Sequence, residues 1–230
     1  MNEKNNNASN DLSKQDDGAS LREQFERQDI RQIGVGPHEK PWPTDEHYDV
    51  ELLENGDKRN VPDKYRYWSV DAIVAELDPL RFSYHVAIEN WEHDLNVGTL
   101  VRNANAFMAK EVHIIGRKRW NRRGAMATYR YLHVRHHKTT DDFINWCKDN
   151  AFPIIAVDIL DDSKSVSEVD LPDNAMFVLG QEGPGISKEI TDAADMSVHI
   201  PMFGSTRSIN ASVASGIIMY EWMRQKGKTV

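Results

Sequence analysis

From Tyr84 onward the chain alternates short apolar runs with segments of helical spacing, and that alternation leaves it few folds. YHVAIE, EVHIIG, FPIIAVDIL, AMFVLG and MSVHIPM read as five strands. NVGTLVRNANAFMA, TTDDFINWCKDN and ISKEITDAA read as the helices between them, and SINASVASGIIMYEWMRQ as a final helix. Thr and Asp at the head of TTDDFINWCKDN suit a helix N-cap and first turn. Strands separated by helices predict an α/β domain with a mostly parallel sheet and helices on both faces. Ligands of such sheets bind at the carboxyl ends of strands, so the loops after the strands are where a site is expected.

This pattern assigns residues 81–230 to one domain. Ahead of it, residues 1–40 are polar and acidic and are expected to be largely disordered. A thin apolar spacing at Leu21, Phe25, Ile30 and Ile33 suits a short helix, which GVGPHEKPWPT then breaks. Residues 41–80 read as an irregular extension with short helices, VDAIVAEL the best of them. With 40% hydrophobic and 28% charged residues the chain is neither wholly disordered nor fibrous. No run approaches the roughly 18 to 20 apolar residues of a membrane helix, and the N-terminus lacks the apolar core of a secretory signal. The single cysteine, Cys147, sits mid-helix as a small buried hydrophobe and fits a reducing cytoplasm. A cytoplasmic protein without membrane attachment is the expectation.

A net charge of −8 argues against nucleic acid until the charge is located. Residues 1–80 hold 10 Lys/Arg and 18 Asp/Glu, which is the whole deficit; residues 81–230 hold 18 of each. Between Gly116 and Lys138 there are eight Lys/Arg, three histidines and no carboxylate. Trp120, Tyr129 and Tyr131 are interleaved with Arg117, Lys118, Arg119, Arg122, Arg123, Arg130 and Arg135. Cations displace phosphate counterions and rings stack on unpaired bases, so this segment is the candidate RNA surface. The plainer reading is a solvated basic loop.

Three loops carry candidate chemistry. The fourth strand ends in LGQEGPG, whose order G-x-x-G-x-G is not that of a dinucleotide loop. Glu182 stands where a pyrophosphate would lie and would repel it, so the loop suits a ligand bearing cationic or hydroxyl groups; a tight turn whose glycines allow positive φ is the alternative. The fifth strand runs into IPMFGSTRSIN, with Ser208 and Asn210 at the entrance of the last helix, where free N–H groups gather or are simply capped. The first strand is followed by Asn96 near a helix start, with Arg102 six residues on, facing the same end of the sheet. Asp158 mimics a ribose-binding acid, yet no glycine loop stands upstream of it. His133, His136 and His137 lack the Cys or carboxylate partners of a zinc site, and no metal is expected.

Taken in order, these loops resemble the SpoU (TrmH-like) branch of the SPOUT RNA methyltransferases over about residues 84–225. N-x-G-x-x-x-R is matched by Asn96, Gly98 and Arg102; L-G-x-E-x-x-G by Leu179, Gly180, Glu182 and Gly185; I-P-M-x-G-x-x-x-S-L-N by Ile200, Pro201, Met202, Gly204, Ser208 and Asn210. Ile209 replaces the usual leucine, Ala211 a usual valine and Met108 a usual glycine. The resemblance implies a deep trefoil knot at about 176–225, a homodimer with its site between subunits, and S-adenosyl-methionine as cofactor. It implies methyl transfer to a ribose 2′-hydroxyl of tRNA or rRNA, without a metal. By position Gly180, Ile200 and Ile209 would give backbone contacts to the cofactor, and Leu179 and Met202 would line its adenine pocket. The family's catalytic role falls on Arg102, with Asn96, Glu182, Ser208 and Asn210 holding the site in register. A guanidinium stays protonated in proteins, so Arg102 serves better as an orienter and stabiliser of the developing alkoxide than as a base.

Two other classes compete. A non-catalytic dimeric RNA-binding homologue would have no need of Arg102, Glu182, Ser208 and Asn210 together. A nucleotide-dependent oxidoreductase is disfavoured by Glu182 in the glycine loop.

Overall fold

Six consecutive buried residues, His85–Asn90, form β1, an inner strand of a parallel sheet. The computed structural model describes residues 34–92 and 94–227, in two compact units. The readings for residues 1–33, disorder and a short helix, lie outside the described residues.

The smaller unit contains residues 34–44 and 49–67. Its helix α1 (Val50–Asn55) is capped by Asp49, whose carboxylate accepts from the N–H groups of Glu51 and Leu52. Val35 and Asp57 form an antiparallel bridge. Burial would raise the Asp57 carboxyl, but bonds from the Arg59 side chain and the Arg59 and Tyr67 N–H groups bring it down to about 2.

The larger unit contains residues 45–48 and 68–227. It begins with α2 (Val70–Leu77), capped by Ser69. The rest follows β1, α3 (Leu95–Ala106), β2 (Val112–Gly116), β3 (Val134–His137), α4 (Thr140–Asp149), β4 (Ile154–Val157), β5 (Lys164–Ser165), β6 (Met176–Leu179), α5 (Lys188–Ala193), β7 (Met196–His199) and α6 (Ala211–Lys226). The seven strands lie in the order β3-β2-β1-β6-β4-β7-β5, every pair parallel. Two of them, β3 and β5, go beyond the five read from the sequence. The first lies inside the basic segment, where Arg135, His136 and His137 hide an edge strand of four residues; the second is only two residues long.

Strand side chains alternate between faces. Val86, Ile88, Ile114, Ile155, Phe177 and Leu179 pack under α3 and α6, where Leu100, Ile218 and Trp222 meet them. Ala87, Ile115, Met176 and Val178 pack under α4 and α5 against Phe143, Cys147 and Ile190. Helices thus cover both faces, and Cys147 is a buried hydrophobe whose thiol burial pushes up to about 12. No helix of the described residues is long and apolar enough to cross a membrane.

One polar chain interrupts the second face. His85 Nδ1 lies 2.8 Å from His113 Nε2, and His113 Nδ1 lies 2.9 Å from His137 Nε2. All three rings are buried, with Phe143, Trp146 and Phe152 around them. A neutral imidazole has one donor and one acceptor nitrogen, so the chain must run in one direction. Burial, then the neighbouring cations, holds His85 and His137 down at about 4 and His113 well below its ordinary value.

The unfolded chain takes up these protons near pH 6.5, the folded one only near pH 4 or below. The stabilisation is therefore complete above about 6.5 and is lost as pH falls toward 4. Urea midpoints measured from pH 7.5 down to 4 are expected to fall across that window. His113→Phe is expected to lower the midpoint at pH 7.5 and to make the fall with pH shallower.

Candidate active site

A cavity of about 550 Å³ opens at the carboxyl ends of β4, β6 and β7. The strand order makes it: β6 and β7 flank β4, so three loops distant in sequence end side by side. Leu179, Gly180, Glu182, Ile200, Met202, Ser208, Ile209 and Asn210 all line it, as do Asp158 and His199. No Lys or Arg is among its lining residues.

The glycine loop turns back on itself. A Cβ on Gly180 would lie 2.1 Å from the Gly185 carbonyl carbon and 2.3 Å from the Ile186 nitrogen, so only glycine fits. Gly183 and Gly185 have φ of 99° and 77°, conformations L side chains avoid. Three groups pin the loop from outside. The Ile186 N–H donates to Asp158 Oδ2 at 3.1 Å, and the Ser187 N–H to the buried Glu89 carboxylate at 2.7 Å. Gln181 Oε1 accepts from the Glu92 N–H at 3.2 Å.

The three motifs meet at Asn96. Its amide donates to Glu182 Oε2 at 3.2 Å, and its carbonyl oxygen accepts from Asn210 Nδ2 at 2.8 Å. Asn210 also caps α6, accepting from the Ser212 N–H and hydroxyl, so capping and site-building fall on one side chain. Thr206 Oγ1 donates to the Ser208 carbonyl, shaping the loop that brings Ser208 to the cavity.

Arg102 is not at the cavity. Six residues from Asn96 on α3, it stands about 9 Å along the axis and roughly 120° around it, exposed to solvent. It forms no ion pair with Glu182 or with any other described residue. The expectation that it faces the same end of the sheet as Asn96 is therefore not met within one chain.

The basic segment packs on α3 rather than hanging free. A Cβ on Gly98 would lie 2.7 Å from the Asn121 carbonyl oxygen, so the motif glycine admits the turn at Arg122–Ala125. Asn90 Nδ2 donates to the carbonyls of Arg117 and Arg119. Arg117, Lys118, Arg119, Arg122, Arg123 and Arg130 are exposed. Arg122 lies over the rings of Trp120 and Tyr129. Tyr131 is buried and its ring is no stacking platform, while Trp120 and Tyr129 are half-buried against the core. Arg135 is exposed but pairs with Glu111, outside the carboxylate-free run, at 3.1 Å.

The three histidines weighed for a metal diverge: His133 meets Asp78, His136 the Gly116 carbonyl, and His137 the buried chain. His85, Glu111 and His113 do converge, within 4.8 Å. Two nitrogens on one tetrahedral ion with bonds of about 2.0–2.1 Å stand roughly 3.3 Å apart. At 2.8 Å the His85–His113 contact is a hydrogen bond instead.

His199 and Gln181 line the cavity without having been candidates from the sequence. Asp158 was visible as a ribose-type acid, but only the strand order reveals that its glycine loop comes from β6, later in the chain.

The description of the SpoU rRNA methylase family matches residues 83–220. A tRNA (guanosine(18)-2′-O)-methyltransferase of Escherichia coli (strain K12) is 30% identical over 164 residues, 70% of each chain. The crystal structure of the A. aeolicus TrmH/SpoU tRNA modifying enzyme has a TM-score of 0.61 and 27% identity, over 68% of this chain and 82% of that one. The SpoU methyltransferase AviRb from Streptomyces viridochromogenes, solved in complex with AdoMet, has a TM-score of 0.57 over 66% of this chain and 61% of that one; at 22% identity it is alike in fold.

Gly180→Ala is expected to cost about 1–3 kcal/mol in urea unfolding, because backbone blocks its Cβ. Gly204→Ala, in the third loop, meets nothing within 4 Å and is expected to stay within about 0.5 kcal/mol of the parent.

Proposed function

The chain belongs to the SpoU methylase family, and from that premise we propose that it methylates a ribose 2′-hydroxyl of tRNA or rRNA with S-adenosyl-methionine. The observation that carries the reading is the bonded set Glu182–Asn96–Asn210, which joins all three motifs at the rim of a cation-free cavity.

The cavity fits the cofactor chemically. A dinucleotide would bring phosphates to a lining that offers Asp158 and Glu182 and no Lys or Arg. A nucleoside bearing sulfonium and ammonium charge suits the same lining, with apolar walls for the base. Leu179 and Met202 would flank the adenine, and Gly180, Ile200 and Ile209 would contact it through the backbone. Bound there, S-adenosyl-methionine supplies a methyl group already activated by its sulfonium. The protein's share is alignment and handling of the proton. Asn96, Glu182, Ser208 and Asn210 hold ribose and cofactor in register. Arg102 orients the hydroxyl and stabilises the developing alkoxide, while the proton leaves to a substrate phosphate oxygen or a water.

A homodimer is part of this reading, with the knot at about 176–225 inside each subunit. Arg102 must come to a cavity that its own chain does not bring it to, and the surface beside it suits a second copy. Leu95 on α3 and Val213, Ile217 and Tyr220 on α6 are exposed, the last three at the spacing of one helical face. Arg117, Lys118, Arg119, Arg122, Arg123, Arg130 and Arg135 are the proposed RNA contacts, and the cytoplasm is the compartment.

Mapping 2′-O-methylated nucleotides in RNA from cells with and without this protein tests the activity, and an unchanged map rejects it. Arg102→Ala is expected to abolish transfer and leave cofactor affinity within a few-fold; parallel losses would make Arg102 structural. Light scattering is expected to give a dimer at micromolar concentration. Replacing Arg119, Arg122 and Arg123 together by Ala is expected to flatten the salt dependence of RNA binding by roughly two to three units, at about 0.7–0.9 per phosphate contact. Single-turnover rates at saturating RNA should change far less.

A further inference from the structure

Asp158 is the one carboxylate of the cavity that no motif of the family uses. It follows β4 directly, and its two oxygens are differently engaged. Oδ1 accepts from the Ile159 N–H at 2.8 Å, and Oδ2 from the Ile186 N–H at 3.1 Å. An ionised carboxylate offers about four acceptor sites, so roughly two remain, on a side chain that lines the cavity. The approach is made possible by Gly185, where a Cβ would lie 2.7 Å from Oδ2.

We propose that Asp158 accepts hydrogen bonds from the ribose hydroxyls of the cofactor, and so selects a ligand with an intact 2′,3′-diol. This rests on the proposed use of S-adenosyl-methionine. Two observations point to the ribose rather than the amino-acid tail. Asp158 is half-buried and flanked in the lining by Val157, Ile159 and Leu160, surroundings suited to a nucleoside. Glu182 is exposed at the Asn96–Asn210 cluster, where the reacting end must face an RNA hydroxyl. The diol offers the two donors that the free acceptor sites of an ionised carboxylate can take. An acid that follows a parallel strand and takes a ribose hydroxyl is the arrangement of dinucleotide-binding sheets. Here the glycine loop beside it comes from the neighbouring strand β6 instead of the preceding turn.

The competing role is a pure brace, in which Asp158 only holds Ile186 and thereby the glycine loop. Calorimetry on the full chain separates the two. The probes are S-adenosylhomocysteine and its 2′,3′-dideoxyribose analogue, each titrated into the parent protein, Asp158→Asn and Asp158→Ala. The parent is expected to bind the dideoxy probe roughly 10- to 100-fold more weakly, the range of hydrogen bonds to a charged group. In Asp158→Ala that preference is expected to shrink to within about 3-fold, and in Asp158→Asn to an intermediate value. If Asp158→Ala does not fold, the near-isosteric Asp158→Asn carries the comparison alone, and a preference as large as the parent's overturns the proposal. Equal weakening of both probes in the variants, with the preference intact, likewise makes Asp158 a brace. A parent that binds both probes equally also overturns the ribose contact. A parent that binds neither probe overturns the cofactor reading itself, and the ribose contact with it.

Discussion

A loop folded back until its first glycine touches its last residues is the constraint on which the rest of the site depends. Gly180 has no room for a side chain against Gly185 and Ile186. Because that contact is backbone on backbone, the loop cannot hold its shape by packing side chains within itself. It is held from neighbouring segments instead: Glu89 at the end of β1 takes the Ser187 N–H, and Asp158 at the end of β4 takes the Ile186 N–H. Both acceptors are carboxylates bonded to backbone N–H groups, which are stronger than neutral pairs. The sheet thus serves the site directly, since the two strands that flank β6 each supply one anchor.

Much of this was legible in the sequence, for identifiable reasons. Parallel strands covered on both faces read as largely apolar runs, so β1, β2, β4 and β6 stood out, and β7 through Met196 and Val198. VDAIVAEL, read as the best helix of the extension, is a helix over its whole length, Val70–Leu77. The strand β3 was hidden because Arg135, His136 and His137 look like surface residues, although His137 is buried in a bonded chain that crosses three strands. Spacing along the chain revealed three loops and could not reveal that β4 lies between β6 and β7. That adjacency is what turns Asp158 from an acid without a glycine loop into a wall of the cavity.

Periodicity also misled at Arg102. Proximity in sequence to Asn96 suggested proximity in space, yet six residues on a helix are not a whole number of turns. The same arithmetic makes the residue informative. Arg102 is exposed seven residues, close to two helical turns, from exposed Leu95, and Val213, Ile217 and Tyr220 are exposed on one face of α6; apolar groups so placed gain from being covered. A second copy would cover them, and under the proposed reading it would also supply a cavity for the guanidinium.

Charge divides the molecule into two recognition problems with opposite signs. Inside the cavity the ionisable carboxylates are Asp158 and Glu182, without Lys or Arg. Outside, six exposed cations crowd the segment from Arg117 to Arg130. The two surfaces share one scaffold: Asn96 opens α3 toward Glu182, and Gly98, two residues on, lets the Arg122–Ala125 turn press against the same helix. Under the proposed reading a cationic nucleoside would enter the first surface and a polyanion would meet the second. For a reaction between a sulfonium donor and a phosphate-bearing acceptor, that separation would keep the two binding surfaces apart near one helix end. A scaffold that only bound RNA would gain nothing from the acid-lined half.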